Sequence, residues 1–255
     1  MRREAFLLSE LVRRDLSVRY AGSFGGAAWT LLNPLVLCGL YSLVFSLIVR
    51  IPPPEGFLGT YAEFLLAGLL PWLGFQDALI QSSTSITNQA HLVKKVVFPL
   101  ELLVAASVVS ALLLQMAGVV VLAGLSAGFG AGRIHVIPLL AGVSLEVLLL
   151  IGPAFALAAV TVLFRDLTQI LGPLLTVAFY LTPILYPESL VPPSLAFGLD
   201  ANPLRDVAAL FRAGLLGLEA PPAGRVLAWA AASCVLGFLG YRFFRRSRTS
   251  FADIL

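Results

Sequence analysis

Few side chains in this 255-residue chain can do chemistry, and their spacing excludes most of it. The lysines are Lys94 and Lys95, and neither follows a glycine. The Gly-Lys-Ser/Thr of a phosphate-cradling loop is therefore impossible, and ATP hydrolysis has to come from another polypeptide. The histidines, His91 and His135, fall on opposite sides of the apolar runs, so a Ser–His site has no member near mid-span. No HExxH occurs, and Cys38 and Cys234 lie alone in apolar stretches as small core residues, so neither a disulfide framework nor a metal site is expected. What remains is charge recognition. Arginines gather near the start at Arg2, Arg3, Arg13, Arg14 and Arg19, and a guanidinium fork matches phosphate oxygens. Four acids, Glu63, Asp77, Glu101 and Glu146, stand in or beside apolar runs, where a charge costs several kcal/mol and needs a reason. The first three can reach interfacial water. Glu146 is the deepest, and it faces either a polar cavity or a partner helix. No deep lysine or arginine is expected to pair them, so they do not make a proton relay.

These residues need a membrane-embedded scaffold. Of the chain, 59% is hydrophobic and 12% charged, too few charges to cover a soluble domain. A span needs ~20 apolar residues to cross ~30 Å of hydrocarbon. The uncharged runs predict an all-α membrane protein of one domain with six spans, at 30–50, 61–81, 102–127, 137–163, 168–186 and 224–243. Residues 1–29 precede the spans as an interfacial helix and lead-in, and 244–255 follow as a tail. Most Lys and Arg then lie in the N-terminal segment, the loops after spans two and four, and the tail. The positive-inside rule puts that side, with both termini, in the cytoplasm. Arg205 and Arg212 count with the opposite side. They stand in a proline-rich stretch, 187–223, that suggests short re-entrant helices on the outer face.

Local patterns add detail. Over residues 4–20, Leu8, Leu11, Val12 and Leu16 share one helix face, opposite Glu10, Arg13, Arg14 and Ser17. Such a helix lies in the membrane interface. Asp15 and Arg19 intrude on its apolar side and are spaced to pair at i, i+4. Trp29 suits an interfacial belt. Aromatic pairs share faces: Tyr41 with Phe45, and Trp72 with Phe75, while Phe179, Tyr180 and Tyr186 crowd the fifth span. Rings with polar tips suit stacked sugars, and they equally suit a packed core. Gly124, Gly128 and Gly132 are spaced for close helix contact.

Several blocks, in order, resemble one family. They are Leu11-Val12-Arg13-Arg14-Asp15-Leu16-Ser17-Val18-Arg19-Tyr20, Asn33-Pro34-Leu35, Gly68-Leu69-Leu70-Pro71-Trp72 and Leu92-Val93-Lys94-Lys95-Val96-Val97-Phe98-Pro99-Leu100-Glu101. Further on stand Phe164-Arg165-Asp166-Leu167, Leu181-Thr182-Pro183-Ile184-Leu185-Tyr186-Pro187, Asn202-Pro203-Leu204 with Phe211-Arg212, and Phe251-Ala252-Asp253-Ile254-Leu255. Together they resemble the ABC-2 type permease subunits of polysaccharide exporters, the group serving O-antigen, capsule and teichoic acid export. The resemblance implies a homodimer of permeases in the bacterial cytoplasmic (inner) membrane, with two copies of a separate ATPase that carries Mg-ATP. This chain would hold no cofactor. The cargo it implies is a lipid-linked glycan. Arg13, Arg14 and Arg19 would meet its diphosphate at a gate in the cytoplasmic leaflet, and Tyr20 and Trp29 would stack on its first sugars. The aromatics Tyr41, Phe45, Trp72, Phe75, Phe179, Tyr180 and Tyr186 would line the channel. The loop 82–100, with Asn88, His91, Lys94, Lys95, Phe98 and Pro99, would couple to the ATPase. Two departures stand out: Leu100 follows Phe98-Pro99, and Ala21-Gly22 follow Arg19-Tyr20, where the family commonly has a basic residue. The alternatives are an ABC-2 drug or antibiotic efflux permease, an intramembrane polyprenyl-phosphate enzyme, and a secondary carrier using Glu146 and Asp77.

Overall fold

The computed structural model describes residues 2–19, 25–52, 54, 57, 59–91, 98–128 and 134–254, and no strand occurs among them. The first helix, α1 (Arg2–Arg19), is the amphipathic segment expected from the leucine spacing. Val12 is its buried residue, and the helix packs along α4 (Glu101–Gly128), with Leu8, Val12 and Leu16 facing Val109 and Leu113. Helix α2 (Trp29–Tyr41) continues into the wider π-type turns of Ser42–Ile48. It stops where Arg50 takes a left-handed φ of 61°.

Helix α3 (Tyr61–Thr84) is the central element, packed by α2, α4, α5 (Val136–Leu163), α6 (Leu167–Leu181) and α8 (Pro203–Leu216). Its start explains Glu63. Thr60 caps the helix, with its N–H donating to Glu63 Oε2 at 2.7 Å and its hydroxyl accepting from Glu63 N at 3.3 Å. This reciprocal box satisfies two backbone donors that lipid could not.

Helix α6 ends at Leu181, five residues before the predicted end of its span. Pro183 supplies no N–H and pushes Thr182 into an extended conformation (ψ 133°), so the ladder stops. Beyond it come α7 (Ala196–Asp200) and α8. Asn202 caps α8, accepting from Leu204 N at 3.0 Å, and Pro203 occupies its first turn. Gly217, at φ 69°, closes it. Helix α8 is not a surface loop element: Val207, Ala208, Leu210, Phe211 and Leu215 are buried between α3 and α5.

Helix α9 (Ala223–Ser247) lies against α5, and the tail folds back through α10 (Phe251–Ile254). Phe244 and Phe251 stack edge-on at 5.6 Å and fill a second core with Leu103, Ala154 and Ala158. Among the described residues, four stretches are long and apolar enough to cross a membrane: Tyr61–Thr84, Glu101–Gly124, Val136–Leu163 and Ala223–Ser250. Leu32–Ile48 and Leu167–Leu181 are apolar but shorter.

Close helix contact occurs at Gly152 and Gly240 rather than at Gly124, and Gly132 lies outside the described residues. A methyl group at Gly124 would meet open space. One at Gly240 would collide with the backbone of Gly152, and one at Gly152 would come within 2.6 Å of Leu236 O. The α5–α9 seam is thus set by small residues that let backbones touch. Gly240→Leu should therefore destabilise the purified chain by about 1–3 kcal/mol or more through overpacking, measured by denaturant titration in detergent. Gly124→Leu should leave the same curve in place.

Candidate functional site

The site builds up from the place where α1 meets α3. Arg19 Nε donates to Asp15 Oδ2 at 3.3 Å, the i, i+4 pair expected from the sequence. Arg19 Nη1 also donates to Asp77 Oδ2 at 2.5 Å, across 58 residues of chain. Gln81 Nε2 holds the other oxygen, Oδ1, at 3.3 Å. Burial works against the charged guanidinium. The attraction and hydrogen bond of Asp77, and then those of Asp15, outweigh it, so the pKa of Arg19 rises above its usual value. One turn earlier, Arg14 donates to Gln89 Oε1. Arg13 is exposed beside an apolar trough between α1 and α4.

Two cavities flank this ion pair. The outer, about 330 Å³, is walled by Arg14, Asp15, Asn88, Gln89, His91 and Ser107. The inner, about 310 Å³, is walled by Trp29, Asn33, Gln76, Asp77, Ala111 and Gln115. Behind it, Gln115 Nε2 donates to Glu146 Oε2 at 2.7 Å. Both residues are buried, and Gly74 leaves room for the carboxamide because a methyl group there would overlap it. Glu146 thus faces a partner helix, α4, through a hydrogen bond from the uncharged Gln115.

The predicted aromatics come together. Phe179 lies 5.5 Å from Trp72, 5.8 Å from Tyr41 and 5.3 Å from Tyr180. Phe45 and Phe75 extend the group, at 6.3 Å from Tyr41 and Trp72 respectively. Trp72, Phe75 and Phe179 are buried, whereas Tyr180 is exposed. Tyr186 turns back to donate to Tyr180 O at 3.0 Å. Asn88 and His91 are exposed beside the outer cavity. Phe98 packs on the second core, and Pro99 O accepts from Leu102 N at 3.0 Å as α4 begins. Tyr20, Lys94 and Lys95 lie outside the described residues.

Sequence reasoning missed Arg212 and placed it among the outer loop charges. It is buried, and its guanidinium binds backbone oxygens: Nη1 to Pro183 at 2.9 Å, Nη2 to Ile184 at 2.9 Å and Nε to Phe64 at 3.3 Å. It also stacks on the Phe64 ring at 3.7 Å. Gly68 is needed beneath it, since a methyl group there would sit 2.7 Å from Nη2. The Pro183 and Ile184 oxygens are available because Pro183 interrupts the ladder. Nearby, Asn202 Nδ2 donates to Thr182 Oγ1 at 2.9 Å, and Tyr61 Oη donates to Leu185 O at 2.6 Å. The expectation that no deep arginine exists is therefore corrected. The available signal was Arg212 inside the apolar run Leu210-Phe211-Arg212-Ala213-Gly214-Leu215.

Outside this core, Arg205 grips Glu188 through Nε at 2.7 Å and Nη2 at 2.5 Å, and it also meets Asp200. The hydrogen bond to Glu188 is the main reason its pKa stands above the usual arginine value. Arg225 meets Asp206.

These features define a multi-pass helical membrane protein with a charged, amphipathic N-terminal helix. The family model of the ABC-2 type transporters matches residues 7–216, and the chain belongs to that family. It is 32% identical to the O-antigen export system permease protein RfbA of Myxococcus xanthus, across 97% of this chain and 94% of that protein. It is 28% identical to two RfbA permeases of Klebsiella pneumoniae, across 98% of this chain and 95% of theirs.

Arg212→Met would leave the Pro183 and Ile184 oxygens buried and unpaired. Each unpaired group costs roughly 1–3 kcal/mol, so this variant should lose about 2–4 kcal/mol of stability in denaturant titration. Retention of full stability would show that water or another donor satisfies those oxygens.

Proposed function

We propose that the chain is the permease subunit of an ATP-driven exporter that moves a lipid-linked polysaccharide, of the O-antigen, capsular or teichoic-acid type, across the bacterial cytoplasmic membrane. The observation that carries this reading is its similarity, over nearly the whole chain, to permeases named for O-antigen export. In this reading two copies of the chain form the pathway, and two copies of a separate ATPase dock beneath them. The helices Leu32–Ile48 and Leu167–Leu181 act as the first and fifth of six spans. Both termini face the cytoplasm, and α7 and α8 form the short re-entrant helices toward the outer side.

The residues then take the following roles. Helix α1 lies in the cytoplasmic leaflet, where Arg13, Arg14 and Arg19 receive the diphosphate of the carrier. Tyr20 and Trp29 meet the sugars next to it. The aromatic group around Phe179 borders the route, since ring faces slide past sugars without holding one in place. The segment 82–100 transmits motion: Asn88, His91, Lys94 and Lys95 contact the ATPase, and Phe98 and Pro99 pass the push into α4. Mg-ATP stays on the ATPase.

The test is reconstitution of the full chain with its cognate ATPase in proteoliposomes. Lipid-linked glycan should raise ATP hydrolysis severalfold. Stimulation by small hydrophobic compounds and not by the glycan would overturn the reading in favour of drug efflux. Glu146 carries no charge-transfer duty here, because its one polar partner among the described residues is the neutral Gln115. Glu146→Gln should therefore preserve glycan export, and loss of export with normal assembly would contradict that assignment.

A further inference from the structure

The block Phe251-Ala252-Asp253-Ile254-Leu255 has no role in the export reading, yet its first residue is fully buried. The turn Arg248–Ser250 carries the chain from α9 into α10 and delivers Phe251 to the second core. The Phe251 ring lies edge-on to Phe244 at 5.6 Å, and Phe244 lies edge-on to Phe155 at 5.3 Å. On α5, the small side chains of Ala154, Ala158 and Ala159 leave space for these rings.

The same core takes in both ends of the segment that joins α3 to α4. Ile86, just past α3, is fully buried in it. Leu100, Leu103 and Val104 enter it from the start of α4, and Phe98 packs against it. A tail residue thus shares one apolar cluster with residues on either side of the intervening chain. A polar link joins the same parts. Arg248 Nη1 donates to Glu101 Oε1 at 2.8 Å, across 147 residues of chain. Glu101 stands in the first turn of α4, where a carboxylate also suits the free N–H groups of the helix start. The two contacts differ in weight. The Arg248 side chain is 44% exposed and that of Glu101 19%, and an ion pair this wet contributes little alone. A wholly buried ring contributes several times more. Phe251 is therefore the anchor, and the ion pair sets how the tail meets α4.

We infer that the tail is a brace for the α3–α4 segment, with Phe251 and Arg248 as its positioning residues. The ring keeps Ile86 and Leu100 in one packed unit with α5 and the end of α9. A close-packed cluster is stiff and transmits strain. Force applied to the segment then moves α4 and α5 together instead of bending the segment's own ends. With the ring removed, the cluster holds a cavity and the same force is taken up locally. The brace follows from the geometry. It rests on the export reading only for the source of the force, an ATPase docked on that segment.

Hydrogen exchange on the full chain in nanodiscs tests the brace without the ATPase. The reporters are the amides of Gln89, Leu102 and Leu103, which donate to the oxygens of Ile86, Pro99 and Leu100. Phe251→Ala should speed exchange at all three by about tenfold or more, because losing a buried ring outweighs the energy that a factor of ten represents. Phe251→Leu, which refills most of the space, should stay close to the unmodified chain. Arg248→Glu should speed Leu102 and Leu103 by about two- to fivefold, the size of a half-exposed pair, and adding Glu101→Arg should reverse it. The Gly217 amide, bonded to Ala213 O at the end of α8, should not change, which separates local loosening from unfolding. Should Phe251→Ala unfold the chain, the charge swap carries the test. The second readout is hydrolysis by the complex with its cognate ATPase in proteoliposomes. Phe251→Ala and Arg248→Glu should keep the basal rate and lose stimulation by lipid-linked glycan, and Glu101→Arg should restore it to Arg248→Glu. Unchanged exchange at the three amides would overturn the brace. Faster exchange with normal glycan stimulation would overturn the positioning role. Absence of stimulation in the unmodified complex would count against the export reading instead, and exchange alone would then decide the brace.

Discussion

An arginine at the end of the N-terminal amphipathic helix and an aspartate in the central helix hold one end of this molecule together. Neither charge is at ease alone in a low-dielectric setting, and each removes the other's reason to leave. The Arg19–Asp77 bond ties α1 to α3, while the leucine face of α1 rests on α4. Helix α1 is thereby fixed at a defined place, with its Arg19 between two polar cavities. Asp15 serves as a second anchor from within α1. One contact between distant parts of the chain thus sets where α1 sits against α3.

The same constraint governs the opposite half of the bundle with different chemistry. There Pro183 breaks α6 and exposes backbone oxygens that lipid cannot satisfy. Arg212 reaches in from α8 to satisfy them, and Gly68 in α3 makes room. Three blocks far apart in the sequence, around Gly68, Pro183 and Arg212, are therefore one device. Asn202 and Tyr61 complete it from α8 and α3. The cost of one helix break is offset by residues on two other helices, which fixes how α3, α6 and α8 sit together.

Much of this was legible in the residues and some of it was not. Long helices were legible because uncharged runs of about twenty residues have few other uses. The α1 face was legible from its leucine spacing, and so was the Asp15–Arg19 pair, because both are local. Glu63 was legible in principle, since Thr60 and Glu63 carry a helix-start signature. The end of α6 could have been read from Thr182-Pro183. Arg212 was misplaced because a charge in a proline-rich stretch looks like a loop residue. Only the neighbouring Phe211 and Leu215 hint at burial. The Arg19–Asp77 and Gln115–Glu146 contacts could not be read at all. They join residues 58 and 31 positions apart, and nothing local marks the partners. The α5–α9 contact through Gly152 and Gly240 was hidden for the same reason, while the better-looking glycine spacing at Gly124 meets nothing.

The central claim is that Arg19 and Asp77 act as one unit in holding α1. Deuterium uptake by the α1 amides, in membranes, tests it through the set Arg19→Ala, Asp77→Ala and the double variant. Coupled partners differ from independent ones by about 0.5–3 kcal/mol in such a cycle. Each single variant should raise uptake, and the double should rise no further than Arg19→Ala alone. If the two effects simply add, or if Asp77→Ala leaves α1 as protected as before, the helix is held by its apolar face and the account is wrong.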